Sequence, residues 1–491
     1  MSSLKNLAGQ TAVYGLSSIV GRFLNYLLTP LYTYQFVAKD YGVVTEMYAY
    51  VAFLVVLLTF GMETAYFRFV SRSEFKQSVY NAALLPVVVS ATIFMGICIA
   101  FSGSLSAAIS YPDNPEFVIW FAIIVGLDAI SSIPLARLRQ ENKATRFVGI
   151  NLSSIALNIG LNLFFIAYCK VMFDSGRSNW IIDMFYDPAI GVGYIFIANL
   201  LASIFKCLLL LPFMTGLSIS VDRKTLRSML IYGAPLLIAG VAGIANENLD
   251  RILLKYLLLE DIGLSETMTQ VGIYGACYKV SILITLFVQA YRYAAEPFFF
   301  NKSVDVDAKE TYAEMMKYFV LTCLVVFLGL MMNIDIVMLF VGEEYRVGAQ
   351  IVPILLLANI FLGIYYNLSV WYKLTDKTMY GAYISIVGAI LTVLFNLALI
   401  PKLGYVGSAW TTLICYAGMM TMSYFWGRKH YHIHYPIKKL AAYSALILII
   451  YLGFDRLDLA NSNVKILLGN LVLALVTLGI IFLERPKKII T

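Results

Sequence analysis

Apolar runs recur along the whole chain, each closed by charged residues or a Pro/Gly-rich break. Their length matches the roughly 20 residues a helix needs to cross hydrocarbon. Cutting at the breaks predicts helices near 11–35, 44–67, 79–101, 117–136, 147–169, 189–213 and 229–256. A second series falls near 271–295, 316–339, 350–372, 380–400, 405–427, 438–454 and 465–483. The pattern predicts an all-α integral membrane protein of fourteen transmembrane helices, with no soluble domain between them. The segment MSSLKNLAGQTAVYG lacks the short apolar core and small-residue cleavage site of a signal peptide, so it is expected to be retained.

Composition agrees: 60% of the 491 residues are hydrophobic and 13% charged, against about 25% charged in globular chains. Basic residues stay on the cytoplasmic side of a membrane, so their placement orients the spans. Arg68, Arg72 and Lys76, then Arg137, Arg139, Lys143 and Arg146, then Arg223, Lys224 and Arg227 gather in alternate connections, as do Lys302, Lys309, Lys373, Lys377, Arg428 and Lys429. The intervening connections carry acids such as Asp113, Glu116, Asp183, Glu260 and Glu343. Both termini are therefore expected in the cytoplasm, and the net charge of +7 reads as a topological signal rather than a nucleic-acid footprint.

The chain contains a repeat. LNLFFIAY (161–168) followed by IGVGYIFIANLLAS (190–203) parallels FNLALIP (395–401) followed by LGYVGSAWTTLICY (403–416), and Gly42 to Phe69 can be laid on Gly272 to Phe299. Two related halves follow: an N-terminal lobe, 1–215, and a C-terminal lobe, 229–427, joined by a cytoplasmic linker at 216–228, with 428–491 adding two further helices. An even number of spans per half makes them parallel repeats, able to rock against each other.

FNLALIPKLGYVGSAWTTLICY, with DRILLKYLL in the seventh span and VGIYGACYKV at the start of the eighth, resembles the polysaccharide-transporter (Wzx-type) flippases. These belong to the MOP superfamily with the lipid II flippase MurJ and the MATE exporters. The resemblance implies two pseudo-symmetric six-helix lobes in a V, a cavity lined by helices 1, 2, 7 and 8, and a cargo of oligosaccharide on polyprenyl pyrophosphate, with O-antigen, capsule and exopolysaccharide repeat units as the candidates. It places the protein as a monomer in the bacterial cytoplasmic (inner) membrane, beside membrane lipids and partners such as a polysaccharide polymerase or glycosyltransferases.

An ionisable residue at membrane depth costs about 2.5–3.5 kcal/mol on insertion scales and so faces protein or water. In NENLDRILLK (246–255), Glu247, Arg251 and Lys255 fall on one helical arc with Asp250 beside it. Arg22 and Asn25 share a stripe of the first span, and Gln289, Arg292 and Glu296 share one in the eighth, where Lys279 lies adjacent. The expected pyrophosphate and sugar contacts are Arg22, Asn25, Arg251, Lys255, Lys279, Gln289 and Arg292, because guanidinium groups fork onto phosphate oxygens and ammonium groups supply compact charge. The competing reading is structural: Glu247 with Arg251 and Arg292 with Glu296 are i, i+4 pairs, while Lys255 and Lys279 lie where a lysine snorkels to the interface.

Glu63, Asp128, Glu247 and Asp250 are the candidates for a coupling ion, H+ or Na+, although Asp128 also reads as bonded to neighbouring Ser131 and Ser132. The stripe Asn151, Ser154, Asn158 and Asn162 reads as interhelical glue. His430, His432 and His434 alternate, yet no Cys or acid cluster accompanies them, so no metal is expected. No cofactor is expected either, and six cysteines without a CxxC pair read as packing residues. The chain is read as no enzyme: a glycosyltransferase or polymerase would need extramembrane acids that the short loops lack. The alternatives are a lipid II flippase and a MATE-like cation-coupled antiporter, whose cavity would be dominated by acids.

Overall fold

The computed structural model describes residues 19–177, 179–214, 222–303, 305–457 and 462–484. Helices account for nearly all of them, and no strand occurs among the described residues. The main helices are α1 (Leu28–Gln35), α2 (Ala38–Thr59), α3 (Met62–Val70), α4 (Lys76–Ala100), α5 (Pro115–Gln140), α6 (Ala144–Asn162), α7 (Gly193–Met214) and α8 (Arg223–Lys302). They are followed by α9 (Ala308–Met332), α10 (Val352–Leu368), α11 (Met379–Leu403), α12 (Tyr405–His430), α13 (Ile437–Asp455) and α14 (Ser462–Leu483).

Eleven stretches of the described residues are long and apolar enough to cross a membrane. Two expected spans are not among them. The first lies partly outside the described residues, and the other, α12, is a continuous helix of 26 residues whose Ser, Thr, Tyr and Gly content dilutes its hydropathy. The expected seventh and eighth spans form one run, because their connection, LLLEDIGLSETMTQ, contains no proline and remains helical. Only Gly263 breaks it, at φ 75° and ψ 164°, a conformation that glycine adopts without a Cβ penalty.

The helices pack into two compact units, residues 1–275 with 385–408, and residues 276–384 with 409–491. In the first unit α5 packs against α4 and α7, and α7 also packs against α6. Its core includes Met62, Tyr66, Tyr80, Val87, Ala129 and Ile133. Residues 385–408 join this unit partly through Asn246, whose amide donates to the Ser385 carbonyl at 3.1 Å and accepts from Thr392 at 3.4 Å. Ser154, expected as glue, donates to the Ala202 carbonyl at 3.0 Å and so ties α6 to α7.

The repeat has a counterpart in packing. A Cβ on Gly42 would lie 2.0 Å from the Met268 carbonyl oxygen, and one on Gly272 would lie 1.9 Å from that of Ala38. In the register that lays Gly42 on Gly272, Ala38 falls on Met268, so the two contacts are reciprocal. Thr45 falls on Gly275 in the same register, and a Cβ there would lie 2.3 Å from the Thr45 hydroxyl. Equivalent backbones thus cross at a closeness that only glycine permits.

In the second unit α9 packs on α13 and α14, and a core forms around Trp371, Tyr365, Tyr372, Cys415 and Tyr416. On α14, Leu467, Leu471, Leu475, Leu478 and Phe482 follow helical spacing and are each more than half exposed. Such a stripe belongs in lipid.

Candidate functional site

The charges of NENLDRILLK lie on α8 in the first unit. Asp250, 3% exposed, accepts a hydrogen bond from the Tyr274 hydroxyl and one from the Arg251 backbone N–H at 2.8 Å. The Arg251 guanidinium, 8% exposed, donates to the Glu247 carbonyl at 2.7 Å and to the Asn248 side chain at 2.8 Å. It lies 3.7 Å from Asp250 and 6.0 Å from the Tyr274 ring centre. The i, i+4 relation to Glu247 is thus made through that residue's backbone, and the Glu247 carboxylate is exposed.

Lys255 has an arrangement that neither sequence reading contains. It is 0% exposed, as is Glu46 on α2. The ammonium donates to both Glu46 oxygens at 2.9 and 3.0 Å and to the Ile109 carbonyl at 2.5 Å, and it lies 4.2 Å over the Tyr111 ring. Glu46 also accepts from the hydroxyls of Tyr50, at 2.7 Å, and Tyr111. A buried ion pair survives only when its remaining lone pairs and protons are satisfied, and here two phenols and a carbonyl satisfy them. The sequence signal was a lone acid near the start of the second span; its partner is 209 positions away.

Two further coupling candidates, Glu63 and Asp128, sit in ion pairs. Glu63 pairs with Arg139 of α5. Asp128 meets Lys206 of α7 at 2.6 Å and accepts from Ser203 at 3.1 Å. The serines expected beside it turn instead to the Leu127 and Ala129 carbonyls, because a serine within a helix reaches its own preceding turn more readily than a carboxylate alongside. Arg22 and Asn25 are exposed, with the Asn158 amide 3.5 Å from Asn25.

In the second unit, Arg292 lies 3.7 Å from Glu296 and 4.7 Å over the Tyr366 ring. Glu296 also pairs with Lys373, which the sequence named only as a marker of the cytoplasmic side. These three and Tyr366 line a small pocket together with Tyr291 and Asn367, and the Tyr291 hydroxyl donates to Asn367 at 2.9 Å. Lys279 and Gln289 are half-buried on the same helix. The arginine and the lysine here are both paired with Glu296, with an amide and two phenols beside them that can exchange hydrogen bonds with hydroxyl groups.

Of the three histidines, His432 and His434 meet ring to ring at 4.2 Å and His430 packs elsewhere. His430 stacks on Trp371 at 5.4 Å and accepts or donates at Tyr380, 3.3 Å away, whereas His432 and His434 follow in irregular backbone. Among the described residues no group of three His, Cys, Asp or Glu is placed to hold a metal ion.

The family model described as polysaccharide biosynthesis protein matches residues 7–303. No curated protein matches by sequence. Among solved structures the chain is similar to the lipid II flippase MurJ in an inward closed conformation, with a TM-score of 0.72 at 15% identity over 96% of this chain and 98% of that one. It is also similar to the inward-facing conformation of a multidrug resistance MATE family transporter of the MOP superfamily, with a TM-score of 0.62 at 15% identity over 89% and 96%. The all-helical fold is that of these transporters.

Proposed function

The chain belongs to the polysaccharide biosynthesis protein family, and from that premise we propose that this multi-pass membrane protein is a flippase carrying a polyprenyl-pyrophosphate-linked oligosaccharide across the bacterial cytoplasmic membrane by alternating access. The observation that carries the reading is Arg251. It is a buried guanidinium on a membrane helix, 3.7 Å from Asp250, whose hydrogen bonds go to a backbone carbonyl and an asparagine rather than to the nearby Glu247 carboxylate. An arginine so positioned presents a directional cation where the pyrophosphate head group has to leave water. Arg22 supplies a further cation on the same unit, and the second unit carries its own group of Arg292, tyrosines and Asn367. The organic-cation antiporter is disfavoured because Glu46, Glu63 and Asp128 are each taken up by a lysine or arginine.

Flipping of lipid-linked oligosaccharides in proteoliposomes tests this. Arg251→Ala should abolish flipping at unchanged incorporation, and Arg251→Lys should restore only part of it, since the planar fork is lost. If Arg251 served only to neutralise Asp250, Asp250→Asn combined with Arg251→Ala would flip normally, and that result would end the substrate-binding reading.

A further inference from the structure

An open cleft in the first unit is lined by Tyr66, Lys76, Gln77, Tyr80, Arg137, Gln140, Glu141, Asn142 and Lys143. It lies away from Arg251 and the Lys255 pair, at the ends of α3, α4 and α5 where basic residues gather. Buried Tyr66 and Tyr80 are among its lining residues, their rings edge to face at 6.0 Å. The Arg137 guanidinium lies 4.5 Å over the Tyr80 ring and donates to the Phe213 carbonyl at 3.3 Å and to Glu141 at 2.7 Å. These contacts fix the plane of the guanidinium, which carries five N–H donors.

Three cations and one acid line the cleft. Burial pushes the Glu141 carboxyl up, but hydrogen bonds from Lys143 and Arg137 outweigh this and hold it below the usual carboxylate range. Glu141 therefore stays ionised and cancels a single positive charge. Lys76, exposed at the rim, makes no ion pair among the described residues.

We propose that this cleft is a binding site for a phosphate group, borne either by a lipid head group or by a free phosphate ester. The charge excess is two, enough to neutralise the dianion of a phosphate monoester and more than enough for the monoanion of a phosphodiester lipid head group. The guanidinium supplies directional donors and is fixed by its stacking on Tyr80, the two ammonium groups supply compact charge, and the Gln77, Gln140 and Asn142 amides can donate to ester oxygens. The proposal draws on the flippase reading only for the side of the membrane on which the cleft opens. Its test involves no transport, so the two can fail separately.

The test is lysine acylation of the purified full-length protein, read residue by residue by mass spectrometry. Four conditions are compared: detergent with inorganic phosphate, detergent with chloride at equal ionic strength, nanodiscs of phosphatidylglycerol and nanodiscs of phosphatidylcholine. Lys76 and Lys143 should be protected while Lys402, an exposed lysine at the end of α11, reacts unchanged. Protection by phosphate alone identifies a free phosphate ester, protection by phosphatidylglycerol alone identifies a lipid head group, and protection by both identifies a site for the shared group. In Lys76→Gln, a surface change that leaves packing intact, protection of Lys143 should need about tenfold more ligand, the equivalent of one charge-assisted contact. Equal labelling in all conditions, equal protection of Lys402, or unchanged affinity in Lys76→Gln would each overturn the proposal.

Discussion

Lys255→Met is the perturbation whose cost the structure defines best. It removes the ammonium that donates to both Glu46 oxygens and to the Ile109 carbonyl and leaves a carboxylate that is 0% exposed with only the Tyr50 and Tyr111 hydroxyls as donors. Breaking a buried pair by removing one partner costs about 3–5 kcal/mol, because the survivor is an uncompensated charge. Glu46→Gln should cost a comparable amount by stranding the lysine. The combined Glu46→Gln and Lys255→Met change strands neither charge, and the glutamine carbonyl still accepts from the two phenols. It should lie within about 1 kcal/mol of the parent, since replacing both members of a buried pair is often neutral. Equilibrium unfolding by SDS titration in mixed micelles gives the four stabilities of the cycle. The reasoning fails if each single change costs under about 1 kcal/mol, or if the double costs the sum of the singles, as independent sites would.

Gly272→Ala would place a Cβ 1.9 Å from the Ala38 carbonyl oxygen and should destabilise by about 1–3 kcal/mol, whereas Gly149→Ala, with nothing within 4 Å, should change stability by no more than about 1 kcal/mol; thermal unfolding of both compares them. Glu484 joins α14 to Lys317 of α9 and to Lys439 and Tyr443 of α13. Burial pushes its carboxyl up, but those three donors outweigh burial and hold it low. Its folded pKa being depressed, its contribution is full above the ordinary Glu value of about 4.3 and is lost as pH falls through the folded value. Protease resistance of the α13–α14 segment should therefore decline on acidification in the parent and show no such step in Glu484→Gln. A reporter inserted near Arg146 should read cytoplasmic and one near Asp113 external, and the reverse at either site would overturn the orientation drawn from basic residues.

What the sequence determined by itself is whatever local hydrophobicity and short-range periodicity control. An apolar run near 20 residues has few structural options, so the helical spans and the membrane class were legible, and so was the pairing of Gly42 with Gly272 as repeat equivalents. The polar stripe of α8 was equally legible, since Glu247, Arg251 and Lys255 share an arc by helical spacing alone. The partners of those residues were not legible, because a charge inside a helix bundle is satisfied by whichever element packs against it, and packing joins positions that are distant in sequence. Lys255 meets Glu46 and Ile109, Asp128 meets Lys206 rather than its adjacent serines, and Arg251 uses the carbonyl of Glu247 where spacing pointed to the carboxylate. The basic cleft among Lys76, Arg137 and Lys143 exists only because the ends of three helices and a turn converge. The Gly42–Gly272 contact shows both levels at once: the repeat marks the two positions as equivalent, and tertiary packing decides that they touch, because only two backbones without Cβ atoms can approach that closely.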